Sequence, residues 1–524
     1  MVSSRNPALP DSSSPLVASA PAVLSQRDIY RVLSGVLLGM FISALDQSIV
    51  ATALPAIGRV LGGFENLSWV AAAYLLTSTA STPIYGKLGD LYGRRLMILI
   101  AITVFAVGSL LCGLAQGMWQ LIAARALQGV GAGGLLSSSQ SVIADIIAPR
   151  ERGRYQAYFS GIYALATVGG PVVGGLFVDH LSWRWVFWIN PPLGIIAFLL
   201  CRRALRLLPV PQRRRRIDYG GAALLIAAVS CWLFMLTSGG REFAWISPAA
   251  LTMVAGALLL TALLVVQERR APEPLLPPRL FANHVVRQAW LASFVITMAQ
   301  LATGVLMPSF LQLVLGVSAG RSGVMILPMM VGTVAGSFGS GRLMRRTGRY
   351  RPVALAAICV ATVAQLLLAF ETQSASLPVI LVTMAFIGLG FGPTFPAMMV
   401  AGQNGAELRD IGIVTSMIAF FRTLGGSFGI AILWSILIGT LARRLAAARA
   451  SALGDAILAH TGGGIAAVPA AAREALVPAL AHSYHLVFLA NAGLCAVAAV
   501  LLARMREKPL REEPAYAVRQ RAAS

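Results

Sequence analysis

Apolar stretches of about twenty residues succeed one another along the chain, divided by short polar breaks. Each is long enough, at about 1.5 Å per residue, to cross a hydrocarbon core roughly 30 Å thick. Fourteen such runs can be marked, at 32–54, 66–86, 96–116, 119–146, 156–178, 185–201, 219–238, 247–266, 288–312, 321–341, 352–370, 376–401, 411–437 and 485–503. The pattern predicts an all-α polytopic membrane protein.

Composition agrees, because charged residues make up 12% of the chain against roughly a quarter in a soluble protein. The net charge of +22 invites a nucleic-acid reading, which the placement of the charges excludes. With the amino terminus in the cytoplasm, roughly 32 Lys and Arg fall on the inner side and roughly 8 on the outer, with Arg125 and Arg422 inside spans. That is the positive-inside bias, and it puts both termini in the cytoplasm. No single basic stripe with interleaved aromatics forms. The run Arg213–Arg216 reads as a cytoplasmic linker facing anionic headgroups.

The first thirty residues, rich in Ser, Pro and Ala, lack the basic start and apolar core of a secretory signal and read as a disordered tail. Cys112, Cys201, Cys231, Cys359 and Cys495 lie in or beside apolar spans, without a CxxC pair or a neighbouring His, so neither a metal site nor a disulfide framework is expected. The chain has no GxxxxGK[ST] phosphate loop. No nucleophile, base and orienting group stand together at recognisable spacing, so no enzyme and no cofactor are expected.

The polar breaks carry their own pattern. "GKLGDLYGRR" at 86–95 returns in altered form as "GRLMRRTGRYR" at 341–351, an offset of 255 residues. The same offset places the first span on the ninth and the fifth on the thirteenth, and Gly170 and Gly174 on Gly425 and Gly429. Two six-helix pseudo-repeat bundles in parallel orientation follow, with two inserted helices between them. The predicted organisation is a tail at 1–30, a first bundle at 31–203, a basic linker with two inserted helices at 204–286, a second bundle at 287–505 with a long external loop at 438–484, and a cytoplasmic tail at 506–524. Helical stretches are expected within that loop at 441–460 and 471–482, with His460, His482 and His485 at the surface rather than on a metal.

Ionisable residues at membrane depth are costly, so they are functional candidates. Asp46 lies about 12 Å from the outer end of the first span and Arg125 about 9 Å from that of the fourth, a shared depth. Asp46 can carry a proton, because partial burial and a nearby cation act on a carboxyl in opposite directions. A purely structural ion pair is the competing reading. Arg422 lies about 16 Å into the thirteenth span. The offset pairs it with Thr167 and pairs Asp46 with Leu301, so neither charge is repeated. A water-filled cavity, a substrate anion or a carboxylate partner would each accommodate it. Glycines four apart, Gly170 with Gly174 and Gly425 with Gly429, let helices approach closely, and Pro171 adds a bend. At the charged decapeptide, Gly86, Gly89 and Gly93 suit a tight turn between two helices.

These segments resemble the Major Facilitator Superfamily of transporters. "GKLGDLYGRR" is similar to the family's signature between its second and third helices, "LIAARALQGVGAG" at 121–133 to its fourth-helix motif, and "GGPVVGG" at 169–175 to its fifth-helix antiporter motif. "ALDQSIVATALP" at 44–55, "WVAAAYLLTSTASTPIYGKLGD" at 69–90 and "WRWVFWINPPLG" at 183–194 resemble the fourteen-helix drug:proton antiporter branch, and the likeness covers about residues 30–505.

The resemblance implies a latch of Gly86, Asp90, Gly93 and Arg94 that holds the halves together when the cytoplasmic side is closed, with Arg154 or Glu151 of the next inner loop as partners. Arg345 stands where the first copy has Asp90, so the second latch must differ. The resemblance also implies that Gly170, Pro171, Gly174 and Gly175 help seal the interface, and that Tyr74, Gln128, Tyr163, Gln300, Gln312 and Phe420 line a central cavity. The expected function is proton-coupled export of a lipophilic small molecule across a bacterial plasma (inner) membrane by alternating access. Export of a lipid, siderophore or endogenous metabolite is the alternative within transport, and a transport-inactive membrane sensor the alternative outside it. Expected partners are the substrate, protons and the bilayer, with no nucleic acid and with a periplasmic adaptor left open.

Overall fold

The computed structural model describes residues 26–62, 66–207, 218–239, 243, 247–374, 376–447, 470–511 and 518. Among them the chain is helical, in the order α1 (Gln26–Leu61), α2 (Leu67–Tyr92), α3 (Arg94–Leu114), α4 (Met118–Ile146), α5 (Pro149–His180), α6 (Trp185–Trp188), α7 (Asn190–Ala204), α8 (Tyr219–Ser238) and α9 (Pro248–Arg270). There follow α10 (Pro278–Ala282), α11 (His284–Leu313), α12 (Ala319–Met325), α13 (Leu327–Thr347), α14 (Arg351–Ser374), α15 (Leu377–Phe391), α16 (Thr394–Gly405), α17 (Ile411–Ala447) and α18 (Ala470–Arg504).

Twelve helical segments among the described residues are long and apolar enough to cross a membrane. The other two of the fourteen expected are α2 and α4, which have the length, 26 and 29 residues, without the apolarity. Their position explains the difference. α4 packs against α2, α3 and α17 and is buried along most of its length, its serines and Gln128 and Gln140 included, so it meets protein where other spans meet lipid.

Prolines set the interruptions. The expected sixth span is divided into α6 and α7 just before Pro191, the tenth into α12 and α13 before Pro328, and the twelfth into α15 and α16 at Pro393. A proline ring has no N–H to give the preceding turn and clashes with its carbonyl. Other boundaries move outward. α1 begins at Gln26, inside the expected tail, while α17 runs to Ala447 and α18 starts at Ala470, which leaves less of 438–484 as a connection. Arg213–Arg216 and His460 lie outside the described residues.

The 255-residue offset carries α2 onto α13 and α5 onto α17. The halves meet accordingly, α2 against α17 and α5 against α13, two contacts that the repeat exchanges. α4 on α17 and α16 on α5 form a second exchanged pair. The inserted hairpin joins this seam through α8, which touches both α2 and α17, with Trp69 stacked on Phe234 and Trp232 against Phe428. One apolar cluster binds insert and halves together, from Ala80 and Ala144 through Leu225 and Leu233 to Met417 and Phe420. In hydrocarbon such packing acts through close contact, since moving a side chain from lipid to protein brings no gain from leaving water.

Candidate functional site

The first candidate centre is a buried carboxylate. Asp46 in α1 has no exposed surface, and Arg125 in α4 is 2% exposed. Arg125 Nη1 donates to Asp46 Oδ2 at 2.6 Å and to Gln128 Oε1 at 2.7 Å. Gln128 Nε2 and Asn190 Nδ2 both donate to Asp46 Oδ1, each at 2.8 Å. Arg125 and Gln128 share a face of α4 because they lie three apart. Asn190, the first residue of α7, is oriented by Ser109 Oγ at 2.9 Å. Below the guanidinium lies the Tyr74 ring, 4.1 Å from its centroid, and Arg125 Nε donates to the Val70 carbonyl at 3.2 Å.

Every one of these contacts to Asp46 presents a donor to an oxygen, which is the environment of an ionised carboxylate. Two charges in a medium without water are tolerable only when paired and further hydrogen-bonded. Asn190 lies within "WRWVFWINPPLG", where nothing in the sequence pairs it with Asp46. The available signal was an amide side chain at the start of an apolar helix beside two prolines. Its Oδ1 is buried and has no hydrogen-bond partner among the described residues.

The second centre lies at the end of the bundle where the basic loops gather. Gly93, with φ 93°, turns α2 into α3 in a conformation that residues with a Cβ avoid. Arg94 then reaches back to the Asp90 carboxylate, donates from Nε to Asp145 Oδ2 at 3.0 Å and from Nη1 to the Gly86 carbonyl at 3.4 Å. Asp90 also crosses to the other half. The backbone N–H groups of Gly412 and Ile413, in the first turn of α17, donate to its Oδ1 and Oδ2 at 3.2 and 2.9 Å. A carboxylate there satisfies orphan donors and meets the positive end of the helix dipole. Gly86 allows the approach, because a Cβ on it would collide with the Ser416 side chain.

Glu151 is not on this latch. It pairs instead with Arg345 at 3.7 Å, so the second copy of the motif meets the start of α5 by a charge pair of opposite sense. The Arg154 side chain lies outside the described residues. Further links across the seam run from Arg152 Nη1 to Gln403 Oε1 at 3.2 Å and between the Ser160 and Ser337 hydroxyls at 2.8 Å.

Gly170 and Gly174 sit on α1, where a Cβ would meet Ser48 and Thr52, while nothing lies within 4 Å of a Cβ at Gly175. The contact holds α5 to α1 inside one half rather than across the seam. Pro171 lies within α5, which continues through it as a helix. Gly425 and Gly429 seat α17 on the α11 backbone at Phe294 and Met298.

The six expected cavity residues divide. Tyr74 and Gln128 are buried in the Asp46 cluster, and Phe420 packs in the seam. Gln312 Nε2 reaches Ser322 Oγ at 3.0 Å, beyond the middle of α11, and Gln300 is half-buried on the same helix. Tyr163 alone of the six is exposed, at 43%, and its hydroxyl donates to Gln47 Oε1 at 3.4 Å. Arg422 lies over the Phe395 ring at 3.8 Å. His482 and His485 are half-buried and stacked on each other, and His485 Nδ1 lies 2.8 Å from the Ala369 carbonyl. No group of three or more His, Cys, Asp or Glu among the described residues could hold a metal.

Two bundles related by an internal repeat, with a buried carboxylate in one of them and a carboxylate of one half capping a helix of the other, make the architecture of a two-half membrane transporter. The family model of the Major Facilitator Superfamily matches residues 36–430, and the chain belongs to that superfamily. It is 38% identical over 411 residues to the Multidrug transporter protein MdtP of Bacillus subtilis (strain 168), covering 78% of this chain and 75% of that one. Multidrug resistance protein 3 of the same organism is 34% identical over 415 residues, 79% of this chain and 80% of its own. Among solved structures, the proton:xylose symporter XylE superimposes with a TM-score of 0.59 at 12% identity, over 94% of this chain and 100% of that one, a likeness of fold.

Proposed function

We propose that the protein exports lipophilic small molecules from a bacterial cytoplasm, or from the inner leaflet of the plasma membrane, in exchange for protons. The relatives named as multidrug proteins support the substrate class. The observation that carries proton coupling is Asp46, fully buried and held by Arg125, Gln128 and Asn190. The positive-inside bias assigns the basic end, with the latch, to the cytoplasm. The latched arrangement is then the state closed to the cytoplasm.

In that state Asp46 is ionised and counter-charged. A proton arriving from the outer side removes the charge that holds Arg125, and the protonated carboxyl needs an acceptor where it formerly needed donors. Rotation of the Asn190 amide turns its unpartnered Oδ1 toward that proton. Neutralisation at the junction of α1, α4 and α7 loosens their mutual hold, and the half can move against the other once the Asp90 cap on α17 opens. Release of the proton inside resets the pair. Purified protein in liposomes tests the reading: addition of a transported lipophile should release protons from the wild type, and protein that moves substrate without moving protons would refute the exchange.

A further inference from the structure

Arg422 is the charge that this mechanism leaves unused. It lies about 16 Å along α17 from the basic end, well within the span. Asp46 and Arg125 neutralise each other at similar depth, so Arg422 leaves the middle of the protein with a surplus positive charge. Its guanidinium makes no hydrogen bond or ion pair among the described residues and meets only the face of Phe395, 3.8 Å from the centroid. Across the seam, the phenol of Tyr163 on α5 exerts an attractive electrostatic effect on it. An arginine carries five N–H donors and keeps its charge, so at this depth it requires an acceptor.

The surroundings describe the rest of the ligand. Tyr163 and Leu301, from opposite halves, are 43% and 44% exposed, and Leu301 reaches α17 one turn beyond Arg422, at Gly426. Gln47, exposed on α1, supplies a polar edge through Tyr163. A cationic fork between an aromatic face, a phenol and a leucine fits an apolar body that ends in one anionic group. We infer that Arg422 and Phe395 form an acid-binding subsite of the transport cleft, selecting lipophilic molecules with a single carboxylate or similar anion over their neutral and cationic analogues. The inference rests on the export reading above and narrows its substrate class.

The test uses the full chain in detergent and three probes with one apolar body: pyrenebutyrate, its primary amide and the corresponding amine. Wild-type protein should bind the carboxylate most tightly. Arg422→Gln should weaken carboxylate binding about tenfold or more, the loss of a charge-assisted contact, while amide and amine change less than about twofold. Arg422→Lys should fall between. Phe395→Leu, which leaves the charge and removes the ring that seats it, should cost the carboxylate a few-fold and provides the comparison if the glutamine variant does not fold. Equal losses for all three probes, or a wild type that prefers the amide, would overturn the subsite. Asp46→Asn separates this inference from proton coupling. That variant should still prefer the carboxylate while releasing no protons, and proton release by it would sink the proton carrier while leaving the subsite standing.

Discussion

Asn190 and Gln128 place their amide nitrogens on the same oxygen of Asp46, each at 2.8 Å, and the side-chain Oδ1 of Asn190 has no partner among the described residues. The residue therefore serves the ionised carboxylate now and holds an acceptor in reserve for the protonated one. Asn190→Ala removes both. Proton-driven export should fall several-fold while substrate binding persists, because Asp46 loses one of its three donors and the reserve acceptor together. Undiminished export with a lowered melting temperature would reduce Asn190 to a packing residue.

Asp46→Asn keeps the volume and removes the titration. Proton-driven export should fall to the background of empty liposomes, while expression, membrane insertion and elution as a single species persist. Full gradient-driven transport by this variant would end the assignment of Asp46 as proton carrier.

Arg125→Ala leaves a buried carboxylate without its counter-charge, a change that costs about 3–5 kcal/mol in comparable buried pairs. A large fall in melting temperature is expected. The double variant Arg125→Ala with Asp46→Ala should recover much of it, since no uncompensated charge remains. Thermal unfolding of the two proteins side by side measures the difference.

The cap that Asp90 places on α17 joins the halves, so its removal should favour opening of the basic end. Ser160 and Ser337, whose hydroxyls are 2.8 Å apart across the seam, are suitable reporters. As cysteines, in a chain whose five native cysteines are replaced, they should form a disulfide readily. Asp90→Ala should slow that crosslinking several-fold and lower turnover more than substrate affinity. Crosslinking and turnover both at wild-type rates would mean that the decapeptide is only a solvated turn.

Gly174→Ala and Gly175→Ala make a controlled pair. The first drives a methyl into Thr52 on α1 and should lower the melting temperature, overpacking of this kind costing about 1–3 kcal/mol. The second meets open space and should be tolerated. Equal melting temperatures would show that α5 and α1 do not depend on this contact.

Much of this protein is legible in one dimension. Hydrocarbon demands long apolar helices, so span after span could be marked from residue type alone, and the repeat of Gly86 at Gly341 announced the two halves. Asp46, Arg125 and Arg422 stood out because a charge in an apolar run is conspicuous against its neighbours. Helix breaks at Pro191, Pro328 and Pro393 were not marked, although the cause is local.

Partners are another matter, because they depend on which faces of distant helices meet. Arg125 and Asp46 could be matched by depth, but Asn190, 144 residues away, reaches Asp46 only once α7 is packed on α1 and α3. Asp90 was expected to meet side chains of the neighbouring loop and instead caps α17 through backbone N–H groups, which every residue but proline carries and which no sequence pattern marks. Tyr74 and Phe420 were expected in a cavity and are buried, because one residue's step around a helix separates an exposed face from the face toward the core. Sequence determined that these charges would lie in the membrane. The tertiary structure decided which were neutralised, since that depends on distance through space, and it left Arg422 against an aromatic ring with its donors unmatched among the described residues.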